Sequence, residues 1–146
     1  MLSTQHLLVG AAVVKAVPNP VISLPLAFLS HFALDSIPHW DGSPKAPFNK
    51  KTALGIILDY AFGVSLVLFF TSGFENQGVI LLGAFLGTLP DFILGAYNHA
   101  KGFFSRYSVI RIPNEFHMSI QRNVTFWPGL VVSVVTSLLA IFVLVS

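Results

Sequence analysis

The segment Leu29–His39 places His31, Asp35 and His39 four residues apart, so on a helix they form one ridge. Imidazole nitrogens and carboxylate oxygens on one ridge suit a divalent cation of the zinc type, on one ion or on adjacent ions. A local His–Asp hydrogen bond is the other reading. Further on, Asp59 stands between Gly55 and Gly63, and Asp91 between Gly87 and Gly95, with Gly83 extending the second row and His99 closing it. Glycines at this spacing form a flat strip on which another helix can lie, and an aspartate within the strip faces protein rather than lipid. Two such carboxylates brought together repel unless protons or cations lie between them. Each could instead be a neutral acid hydrogen-bonded between helices. His6, on an apolar first turn, is a ligand or an interfacial residue, while His39 and Asp41 are site groups or loop polars. His117 follows Glu115, which either orients it or is solvated.

The elements that must position these groups follow from composition. Of 146 residues, 54% are hydrophobic and 10% charged, against about 25% charged in an ordinary soluble domain. Mean hydropathy is +0.77. These values exclude a soluble globule and a disordered chain, and the absence of cysteine excludes a disulfide scaffold and thiolate metal sites. A formal net charge of +2 is too small to argue for nucleic acid. The expected fold is one all-α domain over residues 1–146, a polytopic membrane helix bundle with four to five spanning segments.

A spanning helix needs roughly 20 largely apolar residues. Four candidates are Pro20–Ile37, Thr52–Ser72, Gln77–Tyr97 and Val124 to the C-terminus. A shorter first helix, Thr4–Val17, has Ser3 or Thr4 as its N-cap and stops at Pro18-Asn19-Pro20; it either crosses with Lys15 snorkelling or re-enters. No basic region precedes it, so a cleaved signal peptide is not expected. Lys101–Asn123 interleaves aromatic and aliphatic residues with Lys101, Arg106 and Arg111 and is divided by Pro113. It reads as an interfacial amphipathic arm, with a wet loop as the alternative.

Lys45, Lys50 and Lys51 lie in one loop and Lys101, Arg106, Arg111 and Arg122 in another, whereas the loop Gly73–Gly78 carries no basic residue. The positive-inside rule then places the basic loops and the N-terminus in the cytoplasm of a multi-pass inner-membrane protein. At 1.5 Å per residue, Asp59 is about 12 Å, and Asp91 and His31 about 10 Å, from the cytoplasmic ends of their segments. His6, His39, Asp41, His99 and His117 fall near the same face. All histidines and all aspartates thus map to one half of the membrane, leaving Glu75 in the opposite loop.

Leu29–His39 resembles the His-x3-Asp…Pro-x-His helix of zinc-dependent phospholipase C and related single-strand nucleases, and of a small inner-membrane metal-dependent hydrolase family with the same signature. Thr4-Gln5-His6-Leu7-Leu8 is similar to the N-terminal His segment of that superfamily, and Gly87-Thr88-Leu89-Pro90-Asp91 to the Leu-Pro-Asp segment of its membrane branch. The resemblance implies His31, Asp35, His39, His6 and Asp91 as ligands. Pro38 and His39 stand closer to Asp35 than in the soluble enzymes, no later His-x3-Glu pair follows, and the Leu-Pro-Asp segment comes after the His-x3-Asp helix.

The resulting expectation is a membrane-embedded hydrolase using one or two Zn²⁺-like ions to activate water against an ester or phosphoester, with membrane lipids as partners and a lipid as a candidate substrate. Its ligands are drawn from His6, His31, Asp35, Asp59, Asp91, His99 and His117, with His39 or Asp59 as general base. The competing expectations are a scaffold whose buried His and Asp only fix packing, and a metal or proton transporter.

Overall fold

Pro18-Asn19-Pro20 ends one helix and starts the next for identifiable chemical reasons. Helix α1 (Ser3–Ala16) stops before Pro18, and α2 (Pro20–Ser36) opens with proline at a position whose N–H has no helical acceptor. The Asn19 side chain accepts from the Val21 N–H at 3.0 Å. Asn49 likewise caps α3 (Lys50–Phe70) by accepting from Lys51 and Thr52. A turn with Gly73 at φ +85° leads to α4 (Gln77–His99). Helices α5 (Lys101–Phe104), α6 (Ser108–Ile120) and α7 (Phe126–Val145) follow.

This computed structural model describes residues 1–41 and 49–146; Lys45, used above for orientation, lies outside them. Among the described residues the chain is helical, with α3, α4 and α7 long and apolar enough to cross a membrane. Helix α2 is apolar but shorter, at 17 residues.

The short first helix lies at the centre of the bundle, packed on by α2, α3, α4 and α7. With 14 residues it is about 21 Å long, less than a bilayer core, and its flanks are buried nearly throughout. Glycine permits this approach. A Cβ on Gly63 of α3 would stand 2.8 Å from the Thr4 Cα, and one on Gly87 of α4 would stand 2.5 Å from the His6 carbonyl oxygen. Gly83 meets α1 at Gly10 and Val14 in the same way. Each glycine row therefore divides: Gly63, Gly83 and Gly87 receive α1, whereas a Cβ on Gly55 or Gly95 would meet nothing within 4 Å among the described residues. Lys15 places its Nζ 5.0 Å from the Phe74 ring centroid, a cation–π contact at the α3–α4 turn.

Two local expectations need correction. Neither Ser3 nor Thr4 is the N-cap of α1; Leu2 holds that position without a side-chain bond, and one free N–H, that of Thr4, is met by Asp59 of α3 instead. The 101–123 segment breaks at Ser105–Tyr107, not at Pro113, which lies inside α6. Asn114 Nδ2 donates to the Ile110 carbonyl at 2.7 Å, supplying a donor in the turn that the proline interrupts.

The exit of α2 and the entry of α7 are tied together. His39 N–H donates to Arg122 O at 2.9 Å, and Val124 N–H donates to His39 O at 2.8 Å. Trp40 then lies directly on Gly129 of α7 and edge-on to Phe126. This clamp fixes the C-terminal end of α6 beside the end of α2.

Candidate metal centre

His31 and Asp35 lie one turn apart on α2, as their spacing requires, and both are fully buried. Asp91 comes from α4, just after Pro90, and His117 from α6. His31 Nε2 is 2.9 Å from His117 Nε2. Asp35 Oδ2 is 2.9 Å from His117 Nε2 and 3.3 Å from His31 Nε2. Asp91 Oδ1 completes the group at 3.5 Å from His31 Nε2 and 3.7 Å from His117 Nε2. One ligand atom from each residue lies within 4.8 Å of all the others. Donors at 2.0–2.2 Å around a tetrahedral zinc are separated by about 3.3–3.6 Å; the spacings here begin at 2.9 Å and stay within 4.8 Å, so a single ion would fit with small side-chain rotations.

The chemistry of the donors fits as well. His31 Nδ1 donates to the Gly87 carbonyl at 2.8 Å, which leaves the neutral ring with its Nε2 lone pair aimed into the group. Two carboxylates and a second imidazole nitrogen face the same point, so positive charge, as protons or a metal ion, must balance them. Gly87 serves twice: it has no side chain to obstruct α1, and its carbonyl holds the His31 ring. Pro90, one turn later, interrupts the helical hydrogen-bond ladder at this level.

Asp35 is the hub. Its Oδ1 accepts from the Met1 amino group at 2.7 Å and lies 3.2 Å from His6 Nε2 and 3.9 Å from His39 Nε2. Met1 nitrogen also stands 2.7 Å from His39 Nε2, while His39 Nδ1 donates to Ile37 O. His6 is fully buried and stacks on His31 with ring centroids 4.0 Å apart, yet neither of its ring nitrogens has a hydrogen-bond partner of good geometry. Gln121 Nε2 reaches Asp35 Oδ2 at 3.3 Å. A buried ionised carboxylate is costly unless paired, and Asp35 is paired on both oxygens.

Other candidates lie elsewhere. Asp59 is outside the four-residue group because its carboxylate meets the N-terminus of α1: Thr4 N–H donates to Oδ2 at 3.2 Å and Thr4 Oγ1 lies 2.7 Å from Oδ1. It thus acts as a capping anion supplied from another helix. His99 is exposed at the end of α4 and does not belong to the group. Glu115 pairs with Arg111 at 3.4 Å on the exposed side of α6 and does not orient His117, which Asp35 and Gln121 flank instead. Sequence reasoning missed Gln121, although its position four residues after His117 puts it on the same face of a helical ridge. It also missed the Gly87 carbonyl, for which no side-chain signal exists.

One consequence separates anchor from ligand. Thr4→Val keeps the side-chain shape and removes the hydroxyl contacts with Asp59, so it is expected to lower stability in detergent by about 1–3 kcal/mol. Metal content, measured on the same preparation, is expected to be unchanged.

No protein-family model matches the chain, and comparisons with curated proteins and with solved structures give no match.

Proposed function

We propose that the chain is a membrane-embedded, metal-dependent hydrolase acting on an ester or phosphoester at the cytoplasmic leaflet. The observation that carries this reading is the convergence of His31, Asp35, Asp91 and His117 on one point, with His31 Nδ1 already committed to Gly87 O. A Zn²⁺-like ion held there would supply Lewis acidity and, with a fifth coordination position open, would activate water. The residues that would hold the ion are His31, His117, Asp35 and Asp91. On the Oδ1 side of Asp35, near His6 and His39, the Met1 amino group supplies the positive charge. Asp91 is the one partly exposed member, with 37% of its side chain accessible, so reactants approach from its side. His39 or a carboxylate not engaged by the ion serves as general base.

In this reading α2 joins α3, α4 and α7 as membrane-embedded helices, and the N-terminus and basic segments are cytoplasmic. Helices α5 and α6 form the interfacial arm. Val109, Ile112 and Phe116 are exposed along one side of α6, suited to the leaflet, while Lys101, Arg106, Arg111 and Arg122 attract anionic head groups. The test is hydrolysis of bis(p-nitrophenyl) phosphate and of p-nitrophenyl esters by detergent-purified protein loaded with Zn²⁺. Turnover abolished by chelation and by His117→Ala is expected. Metal-loaded protein that cleaves neither substrate overturns the reading.

A non-catalytic reading draws on one specific observation. Nitrogen atoms of Met1, His6, His31, His117 and Gln121 reach both oxygens of Asp35, so its charge is balanced by protein groups. A scaffold of this kind predicts that Asp91→Asn changes neither metal content nor function.

A further inference from the structure

Helices α3 and α4 touch where Tyr60 meets Phe92 edge-on, with ring centroids 5.5 Å apart, but separate towards the end that carries the metal centre. The separation encloses a cleft of about 920 Å³, within the size range of ligand sites. Its walls include Gly55 and Gly95, the two members of the glycine rows against which nothing packs among the described residues. A glycine inside a helix is destabilising relative to alanine. Gly63 and Gly87 repay that cost by admitting α1, whereas Gly55 and Gly95 leave open space.

Chemistry changes along the cleft. Ile56 and Phe92 form its apolar wall, and they continue into exposed apolar surface on both helices, including Ile57 and Leu58 on α3 and Ile93 on α4. In a bilayer that outer side faces hydrocarbon. At the inner side Asp91 lines the same cleft and belongs to the metal centre. An occupant must therefore be apolar where the cleft meets the bilayer and polar where it meets Asp91. A peptide helix would need a longer unpartnered strip than two glycines supply.

We propose that this cleft binds the head-proximal part of one acyl chain of a bilayer phospholipid, entering sideways between α3 and α4, with its polar linkage beside Asp91. Binding of the chain needs no metal. Turnover of the bound lipid rests on the hydrolase reading above.

The test uses the full chain reconstituted in phosphatidylcholine–phosphatidylglycerol vesicles containing a phospholipid with a diazirine near the acyl ester. After photolysis and peptide mapping, adducts are expected to concentrate on Ile56 and Phe92 over Val131 and Val134, which are exposed on α7 near the same end of the bundle. The paired Gly55→Phe and Gly95→Phe substitutions fill the cleft and are expected to cut those adducts about ten-fold or more, with α7 labelling unchanged. The wild-type map is decisive even where the double variant fails to fold. Equal labelling of cleft and α7, cleft adducts that survive filling in a folded variant, or crosslinks to a second protein chain at Ile56 or Phe92 overturn the proposal. Cleft adducts in Zn²⁺-loaded protein that cleaves neither ester substrate keep the lipid site and remove the hydrolase reading.

Discussion

Asp35→Asn protein, purified in detergent, is expected to carry no stoichiometric divalent metal where the parent chain carries one ion, as measured by elemental analysis. One oxygen of Asp35 faces His31 and His117, and the other faces His6, His39 and the Met1 amine. The substitution removes the negative charge and turns one of these acceptors into an amide donor. Loss of an outer-shell partner alone typically weakens metal binding 10–100-fold, and loss of a shared ligand costs more. The variant also leaves buried nitrogens without a counter-charge, which destabilises by about 3–5 kcal/mol in comparable buried pairs. Metal loss must therefore be read on folded protein. His117→Ala provides that control, because α6 packs at the edge of the bundle and its removal from the ligand set leaves the contacts of α1 intact. His117→Ala is expected to lose the metal with a smaller loss of stability than Asp35→Asn, and His99→Ala to keep both. Full metal content in Asp35→Asn and His117→Ala would refute the four-residue centre.

The second large effect concerns a residue with no side chain. Gly87→Ala is expected to destabilise the bundle by about 1–3 kcal/mol or more, because the added Cβ stands 2.5 Å from the His6 carbonyl oxygen and 3.3 Å from the Gly10 Cα. Both obstacles are backbone, so α1 and α4 must move apart as units. That movement also shifts the Gly87 carbonyl that holds His31 Nδ1, so metal affinity falls together with the melting temperature. Gly95→Ala, two turns along the same helix, meets open space and is expected to be neutral or to stabilise by up to about 1 kcal/mol. Thermal unfolding of the two variants in one detergent checks the pair. Equal melting temperatures would mean that α1 does not lie against α4 as described.

The two variants share the same Gly-x3-Asp-x3-Gly motif yet are expected to behave in opposite ways, which marks how far spacing alone can be read. Spacing specifies which residues share a ridge but not what the ridge faces. The two aspartates look equivalent in the sequence, yet Asp59 binds the N-terminus of α1 while Asp91 joins His31 and His117. His99 and His117 were both candidates near the same level. The break at Ser105–Tyr107 and the clamp between His39 and residues 122–124 bring only His117 inward.

What the sequence by itself determined is local or summed over the chain. Its apolar runs are long enough for three candidate spans, its prolines and asparagines set the starts of α2 and α3, and helix periodicity alone places His31 and Asp35 one turn apart. Tertiary structure decided the rest: the central position of α1, the split of each glycine row into a packed half and an open half, and the choice of Asp91, His117 and Gln121 as neighbours of Asp35. The physical reason is that the rotation of a helix about its axis, and hence which ridge meets which neighbour, is set by packing between elements distant in sequence. A periodicity of 3.6 residues carries no information about that angle.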